Sequence, residues 1–226
     1  MILFTNGCSW TYGGSLGLDL DEQTDQRLAS VWPAQLGKLT SAEKVINLSD
    51  GCGSNQRTFR TTFDWISNQS KEDLEKTVAV IQLTELSRYE YYLPRFENDP
   101  DGWIKCKVGV VTSHIVRDEI GDYLNDCNSK RLSLHTDQEG MYSLITYCEA
   151  LDNLFKHHNI KYYLWSNSFK HKTEPGVPEH IRQYLDRNFN WLDDYGVWDY
   201  DRVSLQDAHP SFNGHKDLAK LIFDRM

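Results

Sequence analysis

The chain has no apolar run approaching the ~20 residues that span a bilayer, so nothing in it reads as a membrane-crossing segment. It also has no block of Lys or Arg. Its basic residues are scattered through a sequence of formal charge −9, which argues against a nucleic-acid groove. Cysteine is sparse: Cys8, Cys52, Cys106, Cys127 and Cys148 make an odd set without framework spacing, and reduced thiols in a cytosol are expected rather than a disulfide scaffold. There is no Cys-x-x-Cys pair and no His-Glu-x-x-His run, so the common zinc signatures are missing. Neither a metal nor another cofactor is expected. No internal repeat or low-complexity tract interrupts the chain, whose 226 residues suffice for one domain with a sizeable core. Met1-Ile2-Leu3-Phe4-Thr5 is too short for a signal-peptide core and reads better as a first strand. A cytoplasmic protein without a signal peptide is the expectation.

What is present alternates between strand and helix. Strands are expected at Ile2 to Thr5, Lys44 to Leu48, Val78 to Leu83 and Lys161 to Trp165, with a short fifth at Phe189 to Leu192. Between them, helical spacing marks Val31 to Leu39, Gln56 to Asn68 and Tyr142 to His158. Pro210 is placed in the first turn of a closing helix whose inner stripe is Leu218, Leu221 and Ile222. Such alternation implies an α/β fold, a parallel sheet of about five strands with helices on both faces. Ligands of such sheets sit beyond the carboxyl ends of the strands, and Ser9, Gly53 and Thr84 each follow a strand on that rim.

Gly7-Cys8-Ser9-Trp10-Thr11 directly follows the first strand, and Asp207-Ala208-His209-Pro210-Ser211 lies close to the other end of the chain. A serine hydroxyl is a weak nucleophile at neutral pH and needs an imidazole to take its proton. His209 is the candidate base for Ser9. Asp207, two residues earlier on the same loop, is placed to fix the imidazole tautomer and to support the imidazolium. The Gly-x-Ser-x-Gly elbow of α/β-hydrolases is absent, because Thr11 stands where its second glycine belongs. A metal site on Asp207, His209 and His215 is the weaker reading of the same residues, with His215 read instead as a polar residue of the last helix.

These blocks resemble the SGNH, or GDSL, hydrolases, whose nucleophile sits in a Gly-Asp-Ser-like motif after the first strand. Here Cys8 replaces the usual Asp. The resemblance implies a three-layer α/β/α, flavodoxin-like fold and a serine esterase with Ser9, Asp207 and His209 as triad. It also implies an oxyanion hole built from the Ser9 N–H and from Gly53 in the run Asn47-Leu48-Ser49-Asp50-Gly51-Cys52-Gly53-Ser54-Asn55. The third block departs from the family's Gly-x-Asn-Asp: the strand runs into Thr84-Glu85-Leu86-Ser87-Arg88, so Thr84, or the amide of Asn55, is the expected substitute donor. Losing an oxyanion donor costs about a hundredfold to a thousandfold in turnover.

Trp10 and Tyr12 beside the nucleophile, Arg88 after the third strand, and Trp198 near the Asp207 loop are the candidate substrate contacts. An insertion at about 86–139 carries Tyr89, Tyr91, Tyr92, Trp103 and Tyr123, with strand-like residues from Lys105 to Thr112 and a helix expected from Ile115 to Leu124. Two readings of it stand open: a cap whose aromatics pack on a sugar or acyl group, and a surface unit whose aromatics form its own core. The expected partner is a small-molecule or glycan ester, with O-acetylated carbohydrate ahead of lipid, and neither nucleic acid nor membrane. A competing class is a non-catalytic or weakly active domain that binds or assembles. SGNH-like chains also occur in bacteriophage genomes, where such a role is virion-associated.

Overall fold

Along each central strand, successive side chains point to opposite faces, so a strand apolar at every position needs cover on both sides. The computed structural model has this form, and describes residues 1–18, 23–92, 103–107, 110–111, 126–131, 136–166, 178–192 and 200–226. In chain order the elements are β1 (Ile2–Asn6), α1 (Ser9–Tyr12), α2 (Thr24–Ser30), α3 (Trp32–Leu39), β2 (Lys44–Asn47), α4 (Asn55–Ser67), α5 (Lys71–Glu75), β3 (Thr77–Leu83), β4 (Arg88–Tyr92), β5 (Trp103–Lys107) and β6 (Val110–Val111). They continue with α6 (126–131), α7 (Asp137–His157), β7 (Lys161–Ser166), α8 (Glu179–Asn188) and α9 (Phe212–Phe223).

The main sheet is parallel, in the order β2-β1-β3-β7. Its two faces alternate as the period of two requires. Phe4, Ala79, Ile81, Tyr162 and Leu164 meet Ile66 of α4, Leu144, Leu151 and Phe155 of α7, and Ile181 and Leu185 of α8. Leu3, Val80, Tyr163 and Trp165 turn the other way, onto Trp32 and Leu36 of α3 and Leu218, Ala219 and Ile222 of α9. The result is a sheet between two helical layers, as the alternation of elements implied. The fifth strand expected at Phe189 to Leu192 is reduced to a single parallel bridge between Leu164 and Trp191. Pro210 does not open α9: it pairs with Arg202 across an isolated bridge, and Ser211 caps the helix by accepting from the Gly214 N–H at 3.1 Å.

The insertion contributes a small antiparallel sheet, β4-β5-β6, and α6. Its described aromatics pack on each other and on arginines. Tyr89 meets Tyr91 edge-on, Tyr92 meets Trp103, and Arg60 and Arg131 lie over Trp103 and Tyr89. Glu90 on β4 is out of water, and burial pushes its carboxyl above the usual range against the pull of Arg60, 3.2 Å away, and of Arg57 and Lys105. Lys105 on β5 reaches Asp50 at 2.7 Å, which ties the insertion to the loop after β2. The helix expected at Ile115 to Leu124, with Tyr123, lies outside the described residues, as does Trp198.

Candidate active site

β1 ends at Asn6, whose side-chain oxygen accepts from the Gly7 N–H at 2.9 Å while its amide donates to the Thr58 carbonyl and to the hydroxyls of Thr61 and Thr62. Gln82, a buried amide near the end of β3, accepts from the Thr11 hydroxyl at 2.5 Å and from the Cys8 N–H at 3.4 Å. These bonds pin the turn between β1 and α1 from below. Ser9 opens α1, where the first N–H groups of a helix have no partner within it. The turn closes at Gly13, whose φ of 91° lies in the left-handed region, and the chain then passes back over Ser9. A Cβ on Gly14 would stand 3.2 Å from Ser9 Cβ and 3.4 Å from His209 Nε2, so a glycine there leaves the space between the two side chains open.

The second half of the site comes from the loop before α9. Asp207 Oδ1 accepts from the His209 backbone N–H at 3.0 Å and from the His209 ring at Nδ1, 2.6 Å away. That contact puts the proton on Nδ1 and leaves Nε2 as an acceptor, which receives the Ser9 hydroxyl at 2.9 Å. Ser204 holds the loop by accepting from the N–H groups of Gln206 and Asp207. Burial pushes the Asp207 carboxyl up, but the His209 N–H, the Ser15 hydroxyl and the His209 ring outweigh it and hold the group below the usual carboxylate range. Asp207 is therefore ionised at neutral pH. Ser9, His209 and Asp207 thus form one hydrogen-bonded line, with Ser15 Oγ alongside at 3.4 Å from His209 Nδ1.

A cavity of about 340 Å³ opens onto this line, bounded by Cys8, Ser9, Trp10, Glu85, Arg88 and residues 206–209. Trp10 stands edge-on to Tyr200, with its ring 6.2 Å from that of His209. Tyr12 is not in the cavity wall: Arg27 lies 3.7 Å over its ring and donates to its carbonyl, so its aromatic face serves the contact with α2. Nor does Gly53 offer its N–H to the site, because that group closes a turn onto the Asp50 carbonyl at 3.1 Å. Gly53 is instead a point of close approach, where a Cβ would come within 3.0 Å of the Gly7 carbonyl. Asn55 and Thr84 are paired with each other. The Thr84 N–H donates to Asn55 Oδ1 at 2.8 Å, and Asn55 Nδ2 donates to the Thr84 carbonyl at 3.1 Å. The Thr84 hydroxyl is buried without a partner among the described residues.

His215 sits apart from the line. Its Nδ1 accepts from the Trp32 N–H at 3.1 Å inside the α3–α9 contact, so it caps α3 and does not turn toward Asp207 as a metal ligand would. Gly14, Ser15 and Gln82 escaped the sequence reading. The Gly13-Gly14 pair after the serine and the amide within the apolar run Val78 to Leu83 were the signals for them.

A family model matches residues 18–208: DUF6071, a family of unknown function. The chain belongs to this family. The span of DUF6071 takes in Asp207, while Ser9 and His209 lie just outside its two ends. A comparison with curated protein sequences finds no match. Among solved structures, the chain is similar to a member of the lipolytic protein G-D-S-L family from Veillonella parvula DSM 2008, at 11% identity and a TM-score of 0.50, over 99% of this chain and 97% of that one. It is also similar to TesA, at 12% identity and a TM-score of 0.49 over 100% and 97% of the two chains. A third similarity is to the psychrotrophic esterase EstA from Pseudoalteromonas sp., at 12% and 0.48 over 99% and 95%. At these identities the likeness is one of fold. The fold of this DUF6071 chain is that of the G-D-S-L hydrolases.

Proposed function

We propose that the chain is a serine ester hydrolase. The observation that carries the reading is the unbroken line from Ser9 Oγ through His209 to Asp207, at 2.9 and 2.6 Å. In the first step Ser9 Oγ bonds to the acyl carbon as its proton passes to His209 Nε2, and Asp207 balances the imidazolium. The bond from the acyl carbon to the alcohol oxygen then breaks, and the leaving oxygen takes the proton from Nε2. A water molecule next gives a proton to Nε2 and attacks the acyl-Ser9 carbon, and Ser9 leaves with that proton restored. A positioned base of this kind contributes about a hundredfold to ten-thousandfold.

For the oxyanion we propose the Ser9 N–H, free of an intrahelical partner at the start of α1, and the second N–H of Asn55, whose amide the Thr84 backbone holds in one orientation. Gly53 and Thr84 act as the frame of the hole. The cavity suits a small acyl ester, and an O-acetyl group on a carbohydrate is the proposed natural form, with Trp10 as the aromatic wall. The engagement of the Gly53 N–H favours a second reading, in which catalysis is weak and the domain chiefly binds its ester-bearing partner.

The test is turnover of a short p-nitrophenyl ester. Residues acting as a unit do not add, so Ser9→Ala, His209→Ala and the double variant should each lose about ten-thousandfold or more. Retained turnover in Ser9→Ala would remove Ser9 from the mechanism.

A further inference from the structure

Arg88 opens β4 and its side chain keeps only 14% of its exposure. Among the described residues it makes one ion pair, from Nη2 to Glu85 Oε1 at 3.3 Å. Its Nε and Nη1 are buried and have no hydrogen-bond acceptor among the described residues. A guanidinium stays charged at every physiological pH and presents five donors. Buried donors, charged ones above all, nearly always find partners, so a guanidinium held in this state is set for an acceptor that arrives from outside. Its position says where that acceptor comes from. Arg88 lines the cavity that holds Ser9 and His209, and it also lines an inner cavity of about 220 Å³ walled by Asn55, Gln56, Arg131, Ser143 and Tyr147 among others. The acidic side chain nearest on its own strand, Glu90, is committed to Arg60.

We propose that Arg88 is the specificity-determining residue of this site and that the substrate is an ester carrying a carboxylate. This rests on the reading of Ser9 as nucleophile. The carboxylate meets the guanidinium at the cavity wall, where a turn of the Arg88 side chain brings the buried Nε and Nη1 to it while the ester carbonyl lies over Ser9, a charge-assisted contact of the kind arginine makes best. The whole chain is at −9, so recognition of an anion here is local to the guanidinium and is not attraction by the molecule's overall field. The carboxylate belongs either to the acyl part, as in a dicarboxylic half-ester, or to the alcohol part, as in an acetylated acidic sugar.

Two ester pairs separate these sources: monoethyl against diethyl succinate, and 4-acetoxybenzoate against its methyl ester. Binding is measured calorimetrically on Ser9→Ala, which does not depend on turnover. In one pair the anionic member should bind at least about tenfold tighter than its neutral partner, and the pair that shows it names the side. Adding Arg88→Gln should erase that preference, and Arg88→Lys, which keeps the charge but loses the fork, should retain only part of it. With Ser9 intact, the ratio of kcat/KM between the same two esters should fall in parallel. Equal binding within both pairs, or a preference that survives Arg88→Gln, overturns the proposal; if Arg88→Gln does not fold, the Lys variant and the comparison within each pair decide it. An anion preference without turnover of any ester keeps Arg88 as the recognition residue and removes the hydrolase reading. Turnover without the preference does the reverse.

Discussion

Trp32 begins α3 with a backbone N–H that has no partner in its own helix, and His215 from α9 supplies the acceptor. The price of that cap is a neutral imidazole in the core. Burial pushes the His215 pKa down to about 3, with a smaller push from His209. The unfolded chain takes up the proton near 6.5 while the folded chain does not, so stability is full above that pH and falls as pH drops from about 6.5 toward about 3. The slope for one such group is at most about 1.4 kcal/mol per pH unit. His215→Gln keeps an acceptor for Trp32 but does not titrate. Urea denaturation of the two proteins across this window should show a shallower loss of stability in the variant. Identical slopes would mean that His215 takes its proton inside the fold.

The element scale is where β3 hands over to the insertion. The Asn55 side chain at the start of α4 closes two bonds on the Thr84 backbone, so one side chain fixes the end of β3 relative to α4. Asn55→Ala strands a buried N–H and a buried carbonyl, and should lower stability by about 2–4 kcal/mol. Thr84→Val removes a hydroxyl that is buried with no partner among the described residues, and should leave stability unchanged or raise it by up to about 1 kcal/mol. Thermal melts of the two variants test this contrast. A Thr84→Val loss as large as that of Asn55→Ala would show that the hydroxyl has a partner of its own. Neither outcome was legible in the sequence. Gly53 and Thr84 sit after strands, as expected, but the Gly53 N–H is taken by a local turn onto Asp50, and the pairing of Thr84 with Asn55 is a contact across 29 positions that sequence spacing does not show.

At the scale of the whole molecule, the parallel sheet and its two helical layers were legible because the apolar strands and the 3.6-residue stripes of α4, α7 and α9 are strong, local signals. Ser9, Asp207 and His209 could be singled out for a related reason: each sits in a contiguous turn or loop motif. Tyr12 failed because side-chain direction within one helical turn decides whether an aromatic faces the cavity or α2, and sequence spacing is silent on that. Pro210 failed because a bridge to Arg202 outcompeted its preference for a helix start. Gly14 and Ser15 went unnoticed because their use lies in how closely the chain passes over Ser9 and His209. The central claim is that these distant parts of the chain converge to activate a single hydroxyl. Reaction with a fluorophosphonate probe, followed by mass-spectrometric mapping of the modified residue, tests it most directly. The account predicts one adduct, on Ser9, with labelling abolished in a folded His209→Ala variant. An adduct on another residue, or a folded wild-type chain that takes no label at all, would contradict it.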